Sequence, residues 1–561
     1  MKKTNNKPDI KKWPADSLPT GMEVTPELLL KKPKFRLWET AARVYAFIMI
    51  VLFPLFMLNV TNRIQNGDGT YHFFMFENVW YANLTDVKTT TFRLVTIALI
   101  VVCALFLIIS FCDERIIAGR RETKLPGDKP LFSLPQLLIM AYLLWQIVAA
   151  FTADGGYEFN VLWVGVRRYE SMTGIRTEGL YHVFLYGIAF LLVSFFGEYS
   201  KSYLRGLSLA VIAFSVMALM QVFGINLFYP KGADFWDSHF LSTLGNIDCV
   251  GGYAATVIPL LFAGFVLAKE KKWRITCLVS GSLMLMTLVY ADVDSGKVGI
   301  VAAAAALMPL LLDRKERIIR TLCGLGIFCG TLALSFGITP SKDGVSLTLG
   351  KKFILAIGAA AVLGVLAYVL ERFVRFPAWS PAKMRKIVLI ALAVLIVAGL
   401  LFLFFYSGDN RLLTEAHEVL HFRLSDRAGS GRGVAWKACF TLIGESPVFG
   451  KGPGTFTYEY NPRFTKDGEM FDLAHNDFLQ IGVHTGLVGL ALYLAFLVVL
   501  AIRAYRASSR CPAVIPLIGA CVGYLAHSFF SFSIAFVTPV FWAVAGVLEK
   551  TIRQLPKEED F

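Results

Sequence analysis

Residues 386–406 read KIVLIALAVLIVAGLLFLFFY, a run whose one charged side chain is its first. In hydrocarbon such a stretch must satisfy its own backbone N–H and C=O groups, so it forms a helix. About twenty apolar residues are enough to cross a bilayer core. Runs of the same kind recur on both sides. They fall near 42–60, 94–112, 132–153, 180–197, 203–224, 250–268, 275–291, 297–312, 319–337, 353–371, 483–502, 514–530 and 534–549, fourteen spans with this one. The expected fold is all-α, a polytopic integral membrane protein. Composition agrees: 17% of the 561 residues are charged, against roughly 25% in a soluble domain. No stretch reads as a soluble catalytic domain or as a repeat.

The formal net charge is +14, but its distribution argues against a nucleic-acid partner. The cations sit in short clusters between spans, such as Lys269/Lys271/Lys272/Arg274, Arg314/Lys315/Arg317/Arg320 and Arg503/Arg506/Arg510. The alternate connections, 61–91, 154–179, 225–249, 338–352 and 407–482, are longer and carry mixed charge. Basic connections face the cytoplasm. The expected organisation is therefore a cytoplasmic tail (1–41), eleven spans (42–406), a large extracytoplasmic loop (407–482), three spans (483–549) and a second cytoplasmic tail (550–561). The first forty residues are too long and too rich in proline for a signal peptide. Nine cysteines, an odd number with no CxxC spacing, lie mostly in apolar runs. They read as small packing residues, with no disulfide framework and no metal site.

The 407–482 loop carries the chemistry. It contains Ser430-Gly431-Arg432-Gly433-Val434-Ala435-Trp436, then Glu445-Ser446-Pro447-Val448-Phe449-Gly450-Lys451-Gly452-Pro453-Gly454, then Ala474-His475-Asn476-Asp477-Phe478-Leu479-Gln480. Leu420 to Ile443 has helical spacing, broken at 428–431. Arg432 and Trp436 are four residues apart and share a helix face. An arginine fork donates two parallel hydrogen bonds to a diphosphate and does not deprotonate; the same residue could instead snorkel to lipid headgroups. The 447–454 turn is either an anion-binding set of backbone N–H groups or plain turn chemistry. Asn476 or Asp477 suits a helix N-cap. His475 then stands at the positive end of a helix dipole, which favours the neutral ring of a general base. A simple polar boundary residue is the alternative. Gly482, Gly486 and Gly489 form a small-residue stripe for close packing, and His484 within it reads as packed and hydrogen-bonded.

Three further groups lie at the outer ends of spans. Asp292-Val293-Asp294-Ser295-Gly296-Lys297 has carboxylates that could do no more than neutralise Lys297. Gly245-Asn246-Ile247-Asp248 precedes the sixth span. Arg167, Arg168 and Arg176, with Glu170 and Glu178, break the rule that outer loops lack clustered cations, which suits an anionic ligand.

Taken in order, these motifs resemble the O-antigen ligase and O-antigen polymerase superfamily. The likeness covers roughly residues 420–490, through Gly431-Arg432…Trp436, Glu445-x-Pro447…Gly450-x-Gly452-x-Gly454 and His475-Asn476-Asp477-Phe478-Leu479-Gln480. Gly245-Asn246 is similar to a further family element. The resemblance implies a membrane glycosyltransferase at the outer face of the bacterial cytoplasmic membrane. Such an enzyme moves a glycan from an undecaprenyl-diphosphate carrier to an acceptor, either a glycan chain or a cell-surface molecule. It implies catalytic roles for Arg432 and His475; Trp436, Asn476, Asn246, Lys297, Arg167, Arg168 and Arg176 are the candidate substrate contacts. An arginine that many members carry at the end of an earlier span is replaced here by Lys297, which has charge but no fork. An inverting, metal-independent transfer without cofactor is expected, in line with the family. Ligase and polymerase differ in acceptor and are not separated by these motifs. The rival readings are a flippase or transporter of lipid-linked glycans and a peptidoglycan-type polymerase. A flippase needs charges lining a central cavity, whereas here charges gather at the ends of the spans.

Overall fold

The computed structural model describes residues 37–56, 63–65, 71–73, 80–112, 131–152, 179–225, 235–239, 241–375, 380–421, 423, 425–426, 428–465, 471–533 and 535–555. It is a bundle of helices with two small hairpins. Helix α1 (Leu37–Phe47) continues through a π turn and a 3-10 turn to Leu55. Strands β1 (Arg63–Gln65) and β2 (Tyr71–Phe73) pair, and α2 (Trp80–Cys112), α3 (Leu134–Thr152), α4 (Leu180–Phe196), α5 (Lys201–Val222) and the short α6 (Phe235–Ser238) follow. Next come α7 (Ile247–Leu267), α8 (Lys271–Ala291), α9 (Asp294–Leu311) and α10 (Lys315–Gly337). The hairpin of β3 (Ile338–Ser341) and β4 (Gly344–Leu347) leads to α11 (Lys351–Arg372) and α12 (Pro381–Phe404). Short helices α13 (Arg411–Leu420), α14 (Ala428–Gly431), α15 (Gly433–Glu445) and α16 (Phe456–Phe464) precede α17 (Asp477–Ala507), α18 (Val514–Ser528) and α19 (Thr538–Arg553).

Eleven of the described helical segments are long and apolar enough to cross a membrane, and α4 and α18 are shorter apolar helices. Burial divides them. Helix α7 is almost wholly enclosed, whereas α12 has no buried residue. The stretch 386–406 thus owes its apolarity to lipid and not to a protein core. In lipid a side chain needs no protein neighbour to be out of water. At the centre, α7, α9 and α18 approach through small residues. A Cβ on Gly523 would lie 1.9 Å from Ala255 O, and one on Gly299 would lie 2.6 Å from Gly523 O. Only glycine permits backbones this near. Eight of the cysteines, Cys103 and Cys249 among them, are free.

One end of the bundle is basic. There the Asp313 carboxylate, with 1% side-chain exposure, accepts from Arg317 at 2.8 Å and Arg385 at 3.0 Å. Glu549 accepts from Arg503 at 2.8 Å. Arg553 donates to Gln136 Oε1 and Leu131 O, and Lys550 donates to Phe195 O. Arg385 joins α12 to the turn between α9 and α10 through Asp313 and to the end of α17 through Ser508. The opposite end carries α13–α16 and the candidate site.

Candidate functional site

Helix α15 begins where the chain cannot remain helical. Gly429 (φ 61°) and Gly431 (φ 92°) adopt left-handed backbone, and a Cβ on Gly433 would meet Ser425 O at 2.0 Å. The Gly429 N–H donates to Glu415 Oε2 at 3.2 Å, which ties this turn to α13. Arg432 is the N-cap residue of α15. Its Nη1 donates to Phe530 O at 2.6 Å, in the turn between α18 and α19. Among the described residues Arg432 forms no ion pair with a carboxylate.

Trp436 lies one turn further on and is 7% exposed. Its Nε1 donates to Ala474 O at 3.1 Å, and its ring packs on Phe530 with centroids 6.2 Å apart. It does not lie free at a lipid interface. Its observed role is to hold the residue before His475 against α15.

His475 sits immediately before the cap of α17. Asn476 is that cap: its Oδ1 accepts from Leu479 N at 3.0 Å. Buried and used in this way, Asn476 positions the helix start. The Ala474 N–H donates to Gln480 Oε1 at 2.9 Å, which closes the turn from the other side. His475 itself has φ 50°. A non-glycine residue held there stores strain on the order of 1–3 kcal/mol, a cost that clusters at functional sites. Its half-buried ring meets Phe532 edge-on at 5.0 Å and Phe471 at 6.2 Å. The dipole of α17 points its positive end at this ring.

The turn after α18 joins these parts. Phe530 receives Arg432, Phe532 receives the His475 ring, and Ser533 donates its N–H and its hydroxyl to the Asp477 carboxylate. The sequence reading gave this turn no role. Its signal was faint: in Phe529-Phe530-Ser531-Phe532-Ser533 two serines interrupt an aromatic run, a pattern equally suited to any link between spans.

The glycine-rich turn 447–454 has a different use from an anion nest. Helix α17 is broken at Gly486 (φ 67°, ψ −174°), which leaves carbonyls of the preceding turn open. Lys451 N donates to Val483 O at 2.7 Å, Gly452 N to His484 O at 3.0 Å, and Leu487 N to Pro447 O at 2.7 Å. Trp145 Nε1 takes Thr485 O at 2.9 Å. The N–H groups of Lys451 and Gly452 are therefore spent on the broken helix. Gly450 and Gly486 are where the turn and the helix touch: a Cβ on Gly486 would lie 2.2 Å from Val448 O. The Gly482/Gly486 stripe thus packs against α15 and this turn. His484 is packed as expected, but its Nε2 has no hydrogen-bond partner among the described residues. Beside the turn, Arg463 and Lys451 both bind Glu445, and these two cations hold its carboxyl down, at about 2.

The remaining candidates are placed as follows. Lys297, on α9, is held by Asp292 at 2.5 Å and Asp294 at 2.8 Å, so its charge is already met. Asp292-Val293-Asp294 has the DxD spacing of metal-binding carboxylates, and both carboxylates bind the lysine. Asn246 is the N-cap of α7, its Oδ1 accepting from Asp248 N at 2.7 Å, after Gly245 in left-handed backbone (φ 73°). Arg167, Arg168 and Arg176 lie outside the described residues.

Residues 343–494, from the β3–β4 hairpin to the middle of α17, match the family model for O-antigen ligase. No curated protein matches the chain. The matched segment contains Arg432, Trp436, His475 and Asn476, and it supports the resemblance of this multi-pass membrane chain to the O-antigen ligase and polymerase superfamily, a general glycosyltransferase type.

Proposed function

We propose that the protein transfers a glycan from an undecaprenyl-diphosphate carrier to an acceptor hydroxyl at the outer face of the bacterial cytoplasmic membrane. The observation that carries this reading is the turn 529–533, which receives both Arg432 and the ring of His475. A cation without a carboxylate partner among the described residues and an imidazole at a helix N-terminus are the two groups such a transfer needs. Arg432 stabilises the charge that develops on the departing diphosphate. The neutral His475 ring takes the proton of the acceptor hydroxyl. The hydroxyl oxygen attacks the anomeric carbon, the bond from that carbon to the diphosphate oxygen breaks, and configuration inverts. A diphosphate leaves without a proton, so no general acid is required. In this reading the transfer is metal-independent, because arginine supplies the charge stabilisation that a metal would otherwise provide.

The site favours transfer over transport. Charges at the ends of spans serve a reaction at the surface, whereas a flippase needs them along a path. Purified full chain in lipid nanodiscs, given radiolabelled undecaprenyl-diphosphate-linked glycan and an envelope extract, should release free undecaprenyl diphosphate as label moves to acceptor. Movement of the intact lipid across proteoliposomes with no release would overturn the reading in favour of a flippase.

A further inference from the structure

At the end of α18 and in the turn after it are two polar side chains that the transfer above does not use. His527 is 3% exposed and Ser531 is 1% exposed. Neither His527 Nδ1 nor Ser531 Oγ has a hydrogen-bond partner among the described residues. An unsatisfied buried polar atom costs about 1–3 kcal/mol, and native structures hold few of them. Both residues line one small cavity, together with Asp248, Gly252, Phe532 and Thr538. Its volume is about 10 Å³, and a polar cavity needs roughly 10–15 Å³ to hold one water. The histidine is wedged on its other side, since a Cβ on Gly252 would lie 2.8 Å from its Nε2. The ring therefore has little room to turn toward another partner in α7.

We infer that this cavity is a single-water site and that His527 is a positioning residue for the transfer centre. The water joins His527 Nδ1 and Ser531 Oγ, with the Asp248 carboxylate as a third wall. Ser531 lies midway in the turn that receives Arg432 at Phe530, His475 at Phe532 and Asp477 at Ser533. No helix or strand fixes the path of 529–533, so an anchor at its centre sets where all three partners sit. His527 comes from α18, which packs closely on α7 and α9, and so carries the rigidity of the bundle into this turn. The inference rests on the reading of Arg432 and His475 as the reaction centre, but the water site is tested apart from it.

Trp436 is a reporter, because its ring packs on Phe530. Full chain labelled with 5-fluorotryptophan in nanodiscs gives a Trp436 fluorine signal, identified by its loss in Trp436→Phe. His527→Leu removes the polar atom at the cavity, while His527→Asn keeps one near the Nδ1 position. In His527→Leu the Trp436 signal should shift or broaden, and kcat should fall about tenfold through misplacement of the reacting groups, with acceptor KM and thermal unfolding near wild type. His527→Asn should recover most of both. Ser531→Ala, the mildest change to the fold, should move the same signal by less. An unchanged Trp436 signal in Ser531→Ala and His527→Leu would overturn the inference, as would equal losses in the Leu and Asn variants. A wild-type protein that releases no undecaprenyl diphosphate would overturn the proposed function instead, and the fluorine comparison would still decide the water site.

Discussion

At the basic end of the bundle, Arg317 and Arg385 share the carboxylate of Asp313, and Arg503 meets a Glu549 that is wholly buried. At the other end, Arg432 meets a carbonyl oxygen. Several other described cations are paired with carboxylates: Lys297 with two aspartates, Lys437 with Asp426, Lys451 and Arg463 with Glu445. A buried arginine given a carboxylate has its charge met and serves to fix helices. A carbonyl partner alone does not mark a charge kept for function, since Lys550 donates to Phe195 O at the basic end and the buried Lys88 donates to Phe53 O and Pro54 O. Arg432 differs in sharing the turn 529–533 with the ring of His475, with no carboxylate partner among the described residues, which suits it to an anionic substrate.

The largest effect is topological and all-or-none: reporter fusions at Ser430 and Lys557 should lie on opposite sides of the membrane, because basic connections stay in the cytoplasm. Both reporters on one side would undo the assignment of the two ends. Next, Asp313→Asn should lower stability by about 3–5 kcal/mol, since it strips a buried partner from two arginines. Turnover per folded molecule should stay at the wild-type level; a specific loss of turnover would mean that the basic end is not merely structural. Arg432→Lys should do the reverse, with thermal unfolding close to wild type and turnover down on the order of 100-fold, as the fork is replaced by a point charge. Near-normal transfer would make Arg432 an interfacial anchor.

The smallest effect belongs to Glu445. Its carboxyl is held below the usual range by Arg463 and Lys451, at about 2. The stability it contributes is therefore complete above an ordinary glutamate pKa of roughly 4.3 and is lost as pH falls toward 2. The group is partly exposed and solvent-screened, so Glu445→Gln should cost less than about 1 kcal/mol, with the difference from wild type fading over that same window. An acid-unfolding profile of the two proteins reads it directly.

How far the sequence carried this account depends on the kind of signal. The spans were legible because lipid imposes length and apolarity on each helix separately. Every one of the fourteen expected segments overlaps a described helix, although α17 begins at Asp477, six residues ahead of the expected span at 483, because Asn476 caps it. Arg432 and His475 were legible as residue types at a loop and a helix start. Their common support was not, since the 529–533 turn lies 98 residues beyond Arg432 and has no composition that marks it. The glycine-rich turn stayed open between an anion nest and plain turn chemistry for a related reason. Its N–H groups look available in sequence, and only the break at Gly486, hidden inside an apolar helix, shows where they go. Trp436 and Asn476 read as ligand contacts but are spent on the backbone around His475. For Lys297 the sequence offered either a replacement for a family arginine or neutralisation by Asp292 and Asp294, and both aspartates hold it.

The account turns on His475 as the group that accepts the hydroxyl proton, distinct from the groups that hold the diphosphate. Donor binding and turnover measured separately on folded His475→Ala protein in nanodiscs test this most directly. Binding of undecaprenyl-diphosphate-linked glycan should remain near wild type, because Arg432 is intact, while turnover falls by roughly 100- to 10,000-fold. Full turnover in that protein would contradict the account and leave His475 as a residue that only shapes the start of α17.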